Sequence, residues 1–299
     1  MSLLTTDHMV IDPPFRDLLA RIQLDNVPAV LACVGDRLAA WSRTTDTICC
    51  NLADGAGAIY IKRYHFPRWK QRFRAMLRGA FFSSSRAKNE YRILRMMRSL
   101  GIQAIRPVAY GERRVGHFLK SCFIITESVP KAMPLSSFIK AFSGRRQTTE
   151  EVMARREILT SLARQVREMH AAGFVHRDLF WRNVLIRPLP DNRWEFYFLD
   201  ASVGKRIRVE QWRHDSIVRD IAAMSVLAPD FCSKADQLRF LRVYLDTERL
   251  APSDRGWLRA VQKQSAFFRE AEVQRLAKSA VFDPPLLDAA EGAGGRPAA

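Results

Sequence analysis

The sequence predicts an α+β protein of two lobes, a small β-rich N-terminal lobe and a larger helical C-terminal lobe. Three observations predict it. Three short runs of strand character, Leu38 to Trp41, Thr47 to Leu52 and Ala58 to Tyr64, follow one another, with Asp54-Gly55-Ala56-Gly57 as a tight turn before the last. After residue 130 the composition becomes helical, with apolar positions at helical spacing from Val152 to Met169. Between them in character lies Phe174 to Ile186, in which two apolar segments hold a short polar loop, a rigid mount for reactive side chains. At 299 residues and 47% hydrophobic content the chain can bury a substantial core. The expected organisation is an extension over 1–36, an N-lobe over 37–129, a C-lobe over 130–280 and a disordered tail over 281–299.

The polar loop reads His176-Arg177-Asp178-Leu179-Phe180-Trp181-Arg182-Asn183. Phosphoryl transfer needs a carboxylate to take the acceptor hydroxyl's proton and hard oxygen ligands for magnesium around the phosphates, and an aspartate and an asparagine five residues apart supply both. His176, Arg177, Asp178 and Asn183 match the catalytic-loop motif of the protein-kinase-like superfamily, so the chain resembles a two-lobed protein-kinase-like fold. Alone, the pair also fits a turn in which both side chains cap backbone groups.

Taken in order, the extension is weakly patterned, with Phe15 to Ile22 as a short amphipathic helix without assigned chemistry. Lys62 follows an apolar run on the third strand, the setting of the kinase lysine that grips the α and β phosphates; a solvated lysine near a strand end is the plainer alternative. Between the first two strands, Ser42-Arg43-Thr44-Thr45-Asp46 contains no glycine where the resemblance calls for a glycine-rich loop. From Lys62 to Lys88 there are nine Lys or Arg and no Asp or Glu, and 66–82 reads as a basic amphipathic helix, suited either to an acidic surface or to solvation. Lys88 to Met97 is a helix from which Glu90 could hold Lys62. Ile105 to Tyr110 is strand-like, with Pro107 confining it to a sheet edge or a bulge. Ser121 to Val129 is a strand leading to a hinge, where the backbone of Glu127 to Val129 would bind adenine.

In the second half, Thr148 to Glu151 forms a capping box, and its helix stops at Gly173 before the loop. Trp194 to Leu199 is an aromatic strand ending in Asp200-Ala201-Ser202, where the resemblance places a magnesium ligand at Asp200. Asp220 is expected to open a helix and to bond the catalytic-loop backbone. Only 20 residues separate Asp200 from Asp220, too few for a protein-kinase activation segment. Helices around Gln237 to Leu245 and Trp257 to Leu276 complete the lobe.

A net charge of +17 points to an anionic partner: nucleotide, acidic glycolipid, membrane surface or, with no binding motif to support it, nucleic acid. Five cysteines without Cys-x-x-Cys or zinc spacing suggest reduced packing residues. No signal peptide is recognised and no run of about 18 apolar residues occurs, so a cytoplasmic protein is expected, peripheral at most to a membrane surface.

One branch of the superfamily matches further. Ile61-Lys62-Arg63-Tyr64, Arg86 to Arg92, Pro107 to Glu112, Phe123 to Glu127 and a His176-Arg177-Asp178 followed by Phe180 rather than lysine resemble the lipopolysaccharide core kinases of the Kdo/WaaP type over roughly residues 35 to 265. The resemblance implies ATP and Mg2+ as cofactors and a heptose or Kdo hydroxyl of the lipopolysaccharide inner core as acceptor. It implies Asp178 as catalytic base, Asn183 and Asp200 as metal ligands, and Lys62, Glu90, Glu127 and Val129 at the nucleotide. A kinase for a protein or another small acceptor, and a membrane-associated pseudokinase, are the competing readings. The missing glycines and the altered Asp200-Ala201-Ser202 motivate the latter.

Overall fold

The computed structural model describes residues 5–42, 44–53, 57–65, 84–116, 118–142, 148–190 and 193–279. The basic segment 66–82, Arg43, Arg145, Arg146 and the tail after 280 lie outside the described residues.

The small lobe is a six-stranded antiparallel sheet. Its strands are β1 (Thr5–Ile11), β2 (Arg37–Trp41), β3 (Thr45–Asn51), β4 (Ala58–His65), β5 (Pro107–Val115) and β6 (Phe118–Glu127), in the order β1-β5-β6-β4-β3-β2. Strand alternation sends side chains of β4 to opposite faces. Ile59 and Ile61 are fully buried on one face with Ile48, Phe123 and Ile125, beneath Phe15 and Leu19 of the segment that forms α1 (Arg16–Arg21) and Val27 and Val30 of α2 (Val27–Ala32). Tyr64 faces the other way, onto Tyr91 and Leu94 of α3 (Arg86–Ser99), in a core that runs on into the helical lobe.

The extension therefore has a structural task that its weak pattern concealed. Its polar residues Thr5 to Asp7 sit exposed on an edge strand, so no alternation marked β1 in the sequence. Asp7 accepts both Arg113 Nε–H (2.8 Å) and Nη2–H (2.7 Å), and these bonds hold its carboxyl below the ordinary range. β5 is thus an interior strand. Pro107 stands at its irregular end, where the pairing with β6 shifts between Pro107 and Ala109 and the pairing with β1 has stopped at Ala109.

The C-terminal lobe contains β7 (Met133–Pro134), α4 (Leu135–Phe142), α5 (Thr149–Ala171), β8 (Phe174–Val175), β9 (Val184–Pro188), β10 (Trp194–Phe198), β11 (Lys205–Arg206), α6 (Glu210–Ser225), α7 (Ala228–Phe231), α8 (Lys234–Leu245) and α9 (Asp254–Ser279). The capping box forms: Thr148 Oγ1 accepts Glu151 N–H at 3.2 Å, and Glu151 Oε2 accepts Thr148 N–H at 2.9 Å. One expectation is corrected. Asp220 does not open its helix but lies in the third turn of α6, which already starts at Glu210, a short connection after β11 ends at Arg206. Backbone bonds from Ile105 N–H to Phe198 O and from Phe198 N–H to Gln103 O, each 3.0 Å, join the lobes behind the hinge. Among the described residues no helix is long and apolar enough to cross a membrane.

Gly111 of β5 lies opposite Phe123 of β6, and a Cβ there would come within 2.3 Å of the fully buried Phe123 ring. Gly111→Ala is expected to destabilise the protein by about 1–3 kcal/mol through overpacking, read as a lower midpoint in denaturant titration.

Candidate active site

The loop from His176 to Asn183 is held chiefly through its backbone. Asp220, fully buried, accepts His176 N–H at 2.7 Å and Arg177 N–H at 2.5 Å. His170 of α5 stands beside the same carboxylate, Nε2 to Oδ2 3.2 Å, while its Nδ1 lies 2.7 Å from the Tyr244 hydroxyl. With a carboxylate on one side, Nε2 carries the hydrogen and Nδ1 accepts from Tyr244. Burial and the Asp220 charge push the Tyr244 hydroxyl well above its ordinary pKa. Arg219 Nε–H donates to Arg177 O at 3.0 Å, and Arg177 is thereby fixed at φ 66°, a left-handed conformation that a long side chain rarely takes.

From this frame the reacting side chains follow. Asp178 is part-exposed; its Oδ2 accepts Asn183 Nδ2–H at 2.9 Å, and the same amide donates to Asp178 O at 2.8 Å. Those two bonds consume the Asn183 side-chain amide hydrogens and leave its side-chain oxygen Oδ1 for a ligand. Buried His176 approaches Leu199 O with Nε2 at 3.1 Å, and Leu199 N–H donates to Asn183 O at 3.1 Å. The strand end is thereby pinned beside the loop, and Asp200 follows at φ 54°, a left-handed turn that short aspartate tolerates.

Lys62 reaches the site from the sheet. Its Nζ lies 2.7 Å from Asp200 Oδ1 and 3.4 Å from Glu90 Oε2, and Tyr64 O–H donates to that same glutamate oxygen at 2.9 Å. Burial works against the Lys62 charge, but the two carboxylates outweigh it and raise its pKa. For Asp200, burial is again opposed, by the Lys62 charge and hydrogen bond and then by His176 and Arg182, and the outcome is a lowered pKa. Glu90, more deeply buried and close to Asp200, is pushed up despite Lys62.

The structure thus brings Lys62, Glu90 and Asp200 together, and Asp178 with Asn183 beside them. At the hinge, Ser128 N–H donates to Ala58 O at 2.9 Å, and Val129 N–H makes no hydrogen bond among the described residues. The loop between β2 and β3 is a hairpin turn in which Ser42 N–H donates to Thr45 O at 2.7 Å. Sequence reading missed Tyr64, although it lies two residues after Lys62 and so on the same face of β4. It also missed His170, Arg219 and the contacts of Arg182, which only the fold reveals.

Among the described residues no group of three or more His, Cys, Asp and Glu converges as a metal site. The donors present, the free Asn183 Oδ1 and the Asp200 carboxylate, are hard oxygens of the kind magnesium takes when phosphate and water complete its shell.

The sequence model of the lipopolysaccharide kinase (Kdo/WaaP) family matches residues 41–244. The chain is 29% identical over 164 residues to the lipopolysaccharide core heptose(I) kinase WaaP of Pseudomonas aeruginosa, covering 53% of this chain and 59% of that protein. It is 24% identical over 198 residues to the protein of the same name from Escherichia coli, covering 63% and 72% respectively. The chain therefore spans less than two thirds of the length of the first of these relatives. Among solved structures, WaaP in complex with acyl carrier protein superposes with a TM-score of 0.60 at 22% identity, covering 87% of this chain and 98% of that one, a likeness of fold.

Asp220→Ala strands the backbone N–H groups of His176 and Arg177 and the buried His170 ring. A loss of at least about 2 kcal/mol is expected at roughly 1–3 kcal/mol per unsatisfied group, with faster amide exchange at His176 and Arg177. Unchanged exchange at those two amides would contradict this account of the loop.

Proposed function

The chain belongs to the lipopolysaccharide kinase (Kdo/WaaP) family, and from that membership we propose that it is an ATP-dependent phosphotransferase acting on a heptose or Kdo hydroxyl of the lipopolysaccharide inner core. The observation that carries the proposal is the meeting of Lys62 with Asp200 at 2.7 Å while Asn183, bonded to Leu199, ties Asp178 to the same place. In this reading Asp178 accepts the hydroxyl proton, and Lys62, backed by Glu90, holds the α and β phosphates. Glu127 and Val129 offer backbone groups to adenine. Asn183 and Asp200 would hold Mg2+, which when bound would neutralise charge on the phosphate oxygens.

The net charge of +17 supports a peripheral place at the cytoplasmic face of the anionic inner membrane, where an acceptor rich in phosphate and carboxylate would be drawn in. The glycine-free hairpin is what favours the competing reading, a pseudokinase that docks without turnover.

Purified protein incubated with ATP and magnesium is expected to label inner-core lipopolysaccharide and not generic protein substrates. Asp178→Asn is expected to lower turnover by about 10²- to 10⁴-fold with nucleotide affinity kept. Full activity in that variant removes Asp178 from the mechanism, and absent magnesium-dependent ATP binding in the parent favours the pseudokinase.

An acyl carrier protein as partner is a further part of the proposal. The helical lobe encloses an apolar cavity of about 390 Å³ lined by Leu135, Ile158, Leu162, Trp181, Phe240 and Val261, room for an acyl chain. Acylated carrier protein should raise the unfolding temperature while the unacylated form does not; equal effects of the two would exclude the cavity.

A further inference from the structure

The catalytic loop departs from protein kinases two residues after Asp178, where Phe180 takes the place of a lysine. The fold assigns that aromatic ring to packing. Phe180 meets Phe268 of α9 edge-on, ring centroids 5.6 Å apart, and Phe268 in turn lies under the Arg219 guanidinium at 5.0 Å. A cation nevertheless stands beside Asp178. The Arg182 guanidinium lies 4.1 Å from the Phe180 ring centroid, its Nη1–H donates to Glu272 Oε2 of α9 at 2.8 Å, and its Nη2 is 3.5 Å from Asp178 Oδ1.

Three features separate this arginine from a surface ion pair. Its Glu272 partner is almost fully buried, at 7% exposure, so the pair is little screened by solvent. Its own side chain is 28% exposed, so it is fixed without being sealed off. Only two of its five N–H groups are engaged by hydrogen bonds among the described residues, and the Asp178 contact is at the long limit, which leaves donors in a fork suited to phosphate oxygens. The position matters too. Arg182 stands at Asp178 Oδ1 and adjoins Asn183, whose amide holds the other oxygen of the same carboxylate, so it lies at the base and beside a proposed metal ligand.

Resting on the phosphotransferase reading, we propose that Arg182 is a catalytic residue that grips the transferring phosphoryl group beside Asp178, and that Glu272 of the last helix is its positioning residue. In the step concerned the acceptor oxygen bonds to the γ-phosphorus while the bond to the β-bridging oxygen breaks. The electron pair leaves on ADP and the hydroxyl proton passes to Asp178. Negative charge on the equatorial oxygens is then met by a donor already oriented. Phe180 and Glu272 supply that orientation, one by its ring face and one by its carboxylate.

The test uses the full chain with Arg182→Met, Arg182→Lys, Glu272→Gln and the double variant Arg182→Met/Glu272→Gln, in which no carboxylate is stranded if the single variant folds poorly. Arg182→Met should lower kcat by about 10²- to 10³-fold, as for one lost transition-state donor, and Arg182→Lys should restore part of it. By calorimetry, affinity for a non-hydrolysable ATP analogue should fall in Arg182→Met while affinity for ADP, which lacks the γ-phosphate, stays as in the parent. Glu272→Gln should cost less, and its effect should vanish in the double variant, since it acts through Arg182. Wild-type kcat in Arg182→Met, or equal loss of both nucleotides, overturns the catalytic role. A Glu272 effect that adds in full to that of Arg182 overturns the positioning role. A parent chain that binds nucleotide but phosphorylates nothing sinks the phosphotransferase reading, and the two-nucleotide comparison then still decides whether Arg182 senses the γ-phosphate. A parent that binds neither nucleotide overturns both.

Discussion

The loop of the candidate active site hangs from one fully buried carboxylate. An isolated ionised aspartate inside a protein costs far more than folding can supply, so Asp220 persists only because the His176 and Arg177 amides, with His170 beside them, satisfy it. The compensation works in both directions. Two consecutive N–H groups turned toward one carboxylate dictate the path of the backbone, which is why Arg177 accepts a left-handed φ. The residue after it is Asp178, so the helix carrying Asp220 aims the proposed base without touching it. His176, held in the same grip, reaches Leu199, and Leu199 reaches Asn183.

A second constraint closes the small lobe onto this frame. Lys62 carries one positive charge between two carboxylates, and the shorter contact goes to Asp200 on the opposite lobe rather than to Glu90 on its own. Glu90 is the deeper of the two and is helped by the Tyr64 hydroxyl, so it remains on the small-lobe side as an anchor. The lobes are joined independently by the backbone bonds around Phe198, and the lysine therefore needs to span only a short, preset gap.

The chemistry-bearing loop was legible because its residue types are obligatory and adjacent in sequence: Asp178, Asn183 and, one strand later, Asp200. The strands from Leu38 to Tyr64 and the capped helix from Thr148 were legible because local pattern and turn chemistry agree there. What stayed hidden depends on pairings far apart along the chain. β1 is half polar because it lies on a sheet edge, so its partner on β5 decides its conformation and its pattern does not. Asp220 was recognised by likeness, but its place within its helix depends on where α6 begins. The roles of Tyr64 and His170 require knowing which face or helix opposes them, and the basic segment 66–82 lies outside the described residues.

The hairpin between β2 and β3 changes how phosphate charge must be met. A glycine-rich loop binds phosphate through backbone N–H groups left free to point at it. In this chain the loop carries no glycine, and its Ser42 N–H is already taken by Thr45 O at 2.7 Å. Donors withdrawn from the roof of the cleft have to be replaced from its walls or floor, and side chains are the remaining source. Among the described residues Lys62 is one such side chain, and Arg182, beside Asp178, is a second. On the proposal made for Arg182, its Glu272 partner brings the last helix into the candidate site instead of leaving it an outer buttress. Its contacts to Phe180 and Arg182 explain why the loop can do without a lysine at position 180: the aromatic ring there is the platform that carries the arginine.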